Sequence, residues 1–148
     1  MSDLARLLLT ATVLASTALA AYLWRLGRLD PAGPERLIGQ LRLAQWAALV
    51  LAGMGAVSIG LAVAHDPAPL GNVEITLGIA FVIFGALVLQ REPREALLVA
   101  AAGFLVHALL NMAHRPGGFD PVAPPWFSAG TAVFDVFFAA ICYWARRR

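Results

Sequence analysis

Gly103-Phe-Leu-Val-His107-Ala-Leu-Leu-Asn111-Met-Ala-His114 places two histidines and an asparagine in a run that is otherwise apolar. At 3.6 residues per turn, Asn111 lies about 40° from His107 around a helix and His114 about 20° to the other side, so the three share one narrow face. A helix that is apolar elsewhere and polar on one face turns that face toward protein or a wet cavity rather than lipid. The stretch therefore predicts a helical membrane protein with a polar site in its interior, and the partners of that face must come from the rest of the chain.

Composition agrees. Of 148 residues, 60% are hydrophobic and 14% are charged, with mean hydropathy +0.75. A soluble domain carries about 25% charged residues, so the composition argues for an integral membrane chain. The basic residues are eleven arginines with no lysine, and they flank apolar runs instead of lining one surface with interleaved aromatics. That pattern fits topology and lipid contact and argues against nucleic acid as a partner. Cys142 is single, which excludes a disulfide within the chain.

Five apolar runs, 4–24, 44–64, 74–89, 96–113 and 125–144, predict one all-α domain over 1–148, a bundle of five transmembrane helices. The polar stretch 25–42 reads as a connecting loop. The third and fourth runs hold only about 16–18 residues against the ~20 of a full span, so they are expected to shelter among longer neighbours as a short antiparallel hairpin. Gln90-Arg-Glu-Pro-Arg-Glu95 is its turn, with Pro93 suited to the first turn of the fourth helix. Trp24, Trp46, Trp126 and Trp144, with Tyr22 and Tyr143, all lie near expected ends, where amphipathic rings prefer the headgroup level.

Nine of the eleven arginines fall on one side of this map: Arg25, Arg28, Arg36, Arg42, Arg91, Arg94 and Arg146 to Arg148. The positive-inside rule then puts the carboxyl end in the cytoplasm and the amino end outside, in a cell inner membrane. Ser16-Thr-Ala-Leu-Ala20 resembles a leader cleavage site, but cleavage there would strand those arginines outside, so the first run is read as a retained anchor. Thr10, Thr12, Ser16 and Thr17 within it are expected to bond back to their own carbonyls.

An ionisable group in hydrocarbon costs about 2.5–3.5 kcal/mol on insertion scales, which directs attention to Glu74, His107 and Asp135. His107 lies roughly 9 Å below the outer end of its helix, and Asp135 roughly 13–14 Å below Trp126, both measured from the same face. A difference of about 4 Å is within side-chain reach if the fourth and fifth helices touch. Ser128, Thr131 and Asp135 share one face of the fifth helix, mirroring His107, Asn111 and His114 on the fourth, with Glu74 and Ser58 at compatible depths.

Such a pair has chemistry available. A carboxylate favours imidazolium while desolvation disfavours it, and the opposed effects poise a proton-transfer pair near neutrality. His107 and Asp135 are thus the candidate acid/base pair. Asn111, His114, Glu74, Ser128 and Thr131 are the candidate ligand-binding groups, in a pocket open to the outer face beneath the proline-rich loop 120–125. The scaffold alternative is an interhelical lock that needs no ligand.

No metal site is expected within this pocket, because His107 and His114 are separated by a rise of about 10.5 Å and Asn111 occupies the i+4 position a helical chelate needs. A superficial site from His65, Asp66, Glu74 and His114 is the alternative. A haem held by two histidines of one chain fits poorly, since His107 is the one deeply placed histidine, and no other cofactor is indicated.

Ala48, Ala52, Ala56, Gly60 and Ala64 recur every four residues in the second helix, a ridge of small side chains that permits close helix contact in lipid. Gly78 and Gly85 offer a matching groove on the third. The ridge is read as the surface for a homo-oligomer or a larger membrane complex. The function expected first is a binding or accessory subunit of a membrane assembly. A membrane-embedded enzyme acting on a lipophilic substrate through His/Asp chemistry is the second reading, and a proton-coupled carrier or channel component the third. No catalytic motif or internal repeat selects among them.

Overall fold

The computed structural model describes residues 3–30, 32–64, 69–113 and 125–147. Those residues are helical throughout apart from short connections: α1 (Asp3–Leu26), α2 (Pro34–Ala64), α3 (Pro69–Leu89), α4 (Pro93–Ala113) and α5 (Pro125–Arg147). Every helix after the first opens on a proline, whose missing N–H would have no intrahelical partner there in any case. The start of α4 shows the geometry: the Glu92 carbonyl before Pro93 accepts the first helical bond from Ala96 N at 2.7 Å.

Among the described residues three helical segments, Pro34–Ala64, Pro93–Ala113 and Phe127–Arg147, are long and apolar enough to cross a membrane. Val13–Leu26 and Val73–Leu89 are shorter apolar stretches. Trp46, Leu49, Val57, Val63, Leu109 and Val133 stand exposed around the outside. A soluble monomer rarely carries that much exposed apolar surface, and together with the three apolar helices it suggests a membrane protein.

Two boundaries differ from the sequence reading. The stretch 25–42 is not one loop, because α2 begins at Pro34 and only about two turns separate it from α1. Counting apolar runs stops at Arg42, whereas Glu35, Arg36, Gln40 and Arg42 are good helix formers that continue the helix downward. Its buried face continues too, through Arg36, Gly39, Gln40, Leu43, Ala44 and Ala47. Likewise α4 is 21 residues long rather than short, since Pro93-Arg-Glu95 supply its first turn. The helix α3 also has 21 residues, although its apolar described part is shorter.

The most extensive packing joins α2 to α3 and α4 to α5, with α2 also against α4. In the α2–α3 seam a Cβ on Gly55 would meet the Gly78 carbonyl oxygen, and one on Gly85 would meet the Ala48 carbonyl oxygen at 2.7 Å. Contacts pair rising numbers on α2 with falling numbers on α3, so the two run antiparallel. The groove expected at Gly78 and Gly85 is present. The ridge expected on α2 is only partly the contact surface: Ala48 is buried and Ala52 half-buried, but Ala56, Gly60 and Ala64 are exposed. A row spaced every four residues advances about 40° per step, so over four steps it winds off the seam, which Gly55 and Ile59 then occupy.

A third junction ties α1 and α5 to the beginning of α2. Tyr22 Oη donates to the Gly39 carbonyl at 3.0 Å, and the Leu26 side chain fills the space where Gly39 has no Cβ. Gln40 Nε2 donates to the Ala145 carbonyl at 2.9 Å, satisfying one of the last carbonyls of α5 inside the bundle. Thr17 Oγ1 donates to the Val13 carbonyl at 2.8 Å, the back-bonding expected for hydroxyls of α1.

Candidate functional site

The site is made where α4 crosses α5 with α3 behind it. Phe104 packs on Phe138 with ring centroids 4.6 Å apart, fixing the level of the two helices one turn below the polar groups. His107, one turn above Phe104, then meets Asp135: Nδ1 lies 2.7 Å from Oδ2. The direct pairing matches the depths estimated from helix rise alone. Asp135 is 0% exposed and His107 8%, so both are buried within the bundle.

A carboxylate only accepts, so the short contact puts the proton on Nδ1, which donates to Asp135 Oδ2. Asn111, four residues on and therefore on the same face of α4, brings Nδ2 within 3.1 Å of His107 Nδ1 and 3.5 Å of Asp135 Oδ2. With Nδ1 protonated, the amide donates to the carboxylate and its contact with the imidazole is not a hydrogen bond. Behind the ring, Phe81 of α3 meets His107 edge-on, with centroids 4.8 Å apart and planes at 89°.

Two polar atoms are left over. Asp135 Oδ1 is buried and has no hydrogen-bond partner. His107 Nε2 has none among the described residues either, because the contacts of this ring run through Nδ1 and the Phe81 edge. An imidazole oriented by a carboxylate on Nδ1 with Nε2 free can accept and return a proton there, or accept a hydrogen bond from a hydroxyl. Nothing nucleophilic touches Nε2 among the described residues.

The remaining expected groups are placed unevenly. Ser128 is buried on the Asp135 face of α5 but two turns away. Thr131 Oγ1 donates to the Phe127 carbonyl at 2.7 Å, so its hydroxyl serves its own helix rather than the cluster. Glu74 is half-buried, about 10 Å along α3 from Phe81. His65, Asp66, His114 and the loop 120–124 lie outside the described residues, so the superficial metal site falls there too. Among the described residues no three metal-ligating side chains cluster.

Sequence reasoning missed Phe81, since a phenylalanine in an apolar helix carries no mark that separates an imidazole contact from a lipid contact. It also missed Arg36 and Gln40, assigned to a loop. Their signal was periodicity: Arg36, Gln40, Leu43, Ala44 and Ala47 continue one helical face below the apolar run. No protein family, curated protein or solved structure matches the chain.

Proposed function

We propose that the chain is a small polytopic protein of the cell inner membrane, a bundle of five transmembrane helices in which α3 and α4 form an antiparallel hairpin. Contacts of Phe81 with His107 and of Phe84 with Gly103 support that hairpin. The arginine distribution supports an outside amino terminus and a cytoplasmic carboxyl terminus. A reporter active only in the cytoplasm, fused after Arg148, is expected to be active, and activity of a periplasmic reporter at the same place would reject this topology.

Within that bundle His107, Asn111 and Asp135 form a binding site for a lipophilic ligand bearing a hydrogen-bonding group, reached from the outer half. Ser128 and Glu74 lie on the approach. The chain thereby serves as a binding or accessory subunit of a membrane assembly. The observation that carries this reading is the unfilled hydrogen-bonding capacity of Asp135 Oδ1, buried beside His107 without a partner. A lock made only for stability would not leave Oδ1 open, because an unsatisfied buried polar atom costs about 1–3 kcal/mol. A ligand hydroxyl donating to Asp135 Oδ1 would fill it.

The free Nε2 of His107 favours a second reading, proton transfer on a lipophilic substrate with His107 as base and Asp135 orienting it. Mass spectrometry of what copurifies in mild detergent separates the two. A larger partner protein retained alongside the ligand is expected for an accessory subunit, through the exposed Ala56, Gly60 and Ala64. Ligand without any partner favours the enzyme, and neither in a protein purified without delipidation would contradict both.

A further inference from the structure

We propose that the arginine-rich end of the bundle binds a phosphate-bearing anionic group, the headgroup of a phospholipid, on the guanidinium of Arg36. This rests on the membrane reading above and is independent of the His107 cluster.

Arg36 lies in the first turn of α2, where the ends of α1 and α5 meet it, and is 3% exposed. Among the described residues its side chain makes one hydrogen bond, from Nη1 to the Leu29 carbonyl at a long 3.4 Å. Nε is buried with no partner. The carboxylates nearest in sequence, Asp30 and Glu35, are exposed, and Asp30 Oδ1 accepts instead from Ala32 N at 3.0 Å. A guanidinium is always charged and carries five donors. No carboxylate pairs with it among the described residues; a buried charge left unpaired is strongly disfavoured, and an anion that uses several donors at once removes the penalty.

The surroundings describe that anion. A crevice beside Arg36 is lined by Leu23, Leu26, Gly27, Trp144 and Ala145, and its floor has room for one water-sized group, such as a single phosphate oxygen. Flanking it in the chain are Arg25 in the last turn of α1, Arg28 just after it, and Arg146 and Arg147 at the end of α5. Arg28 lies 3.6 Å over the Trp24 ring and Arg147 4.6 Å over the Tyr143 ring, so aromatic faces rather than carboxylates accompany those charges. The apolar run of α2 starts at Ala44, about 12 Å along the helix from Arg36, which sets the guanidinium at headgroup depth. Free phosphate has the same charge, but the walls formed by Leu23 and Leu26 suit a group that brings acyl chains with it.

The test measures melting of the full chain in uncharged detergent with added phosphatidylglycerol, phosphatidylcholine or inorganic phosphate. Phosphatidylglycerol is expected to raise the melting temperature while phosphatidylcholine does not. Arg36→Gln should weaken the apparent affinity for phosphatidylglycerol by about tenfold or more, the loss expected for charge-assisted hydrogen bonds. Arg42→Gln, at an exposed arginine of the same helix, should leave it within about twofold. Equal protection by the two lipids, or an unchanged affinity in Arg36→Gln, overturns the proposal. Inorganic phosphate giving the full protection upholds the anion site and overturns lipid as its source. Should Arg36→Gln not fold, Arg36→Lys keeps the charge but loses the planar fork, and an affinity equal to wild type in that variant also overturns it. Failure of the membrane reading would show separately, in the reporter fusions.

Discussion

Gly55→Leu is expected to lower the unfolding free energy in detergent by about 3 kcal/mol, the upper part of the range for overpacking. A Cβ at this position would sit on the Gly78 carbonyl oxygen, with the Phe81 Cβ and the Val82 amide nitrogen each 3.1 Å away. These are mostly backbone atoms of α3 and cannot rotate aside, so α3 as a whole must move away from α2. Phe81 would move with it, and the edge contact behind His107 would open. Gly53, two residues earlier, faces open space. Gly53→Ala should therefore be neutral or gain up to about 1 kcal/mol from helix propensity. Melting of the two variants side by side checks this, and an unchanged melting temperature in Gly55→Leu would rule out the close seam.

Removing the imidazole should cost a similar amount for a different reason. In His107→Leu the volume is roughly kept, but Asp135 stays fully buried and loses its 2.7 Å partner, leaving the 3.5 Å bond from Asn111. Truncating one partner of a buried pair costs about 3 kcal/mol or more, most of it the stranded carboxylate. Adding Asp135→Leu removes the stranded group, so the double variant should recover most of the loss, since apolar residues replace buried pairs at little cost. Denaturation of the two singles and the double gives the coupling directly. Additive effects would show that the contact carries no energy.

His107 and Asp135 were legible as a pair because their depths need only the helix rise and two helix ends, marked by Ala113 and by Trp126. Both ends fall where the helices end or begin within a residue. The junction of α1, α2 and α5 was not legible by the same means. Apolar runs locate what lipid touches, whereas Arg36 and Gln40 are helical and buried by contacts with protein at the polar end. The small-residue ridge divides between the α3 seam and the exposed surface for a geometric reason, since a row every four residues does not stay on one side of a straight helix. Gly55 lay between two members of that row and drew no notice, yet there is no room for a Cβ between the two backbones there. Thr131 shares the Asp135 face by spacing, but spacing says nothing of a hydroxyl that returns to its own carbonyl.

The double variant His107→Leu with Asp135→Leu also separates a site from a scaffold, because it keeps the helix packing and removes the hydrogen-bonding groups. Mass spectrometry of the small molecules and proteins that copurify with it in mild detergent, against wild type at equal recovery, is the most direct measurement. A binding site at His107, Asn111 and Asp135 predicts a melting temperature near wild type with the lipophilic ligand absent. A double variant that melts like wild type and retains the same ligand and partners would contradict it, leaving the buried pair as a lock between α4 and α5.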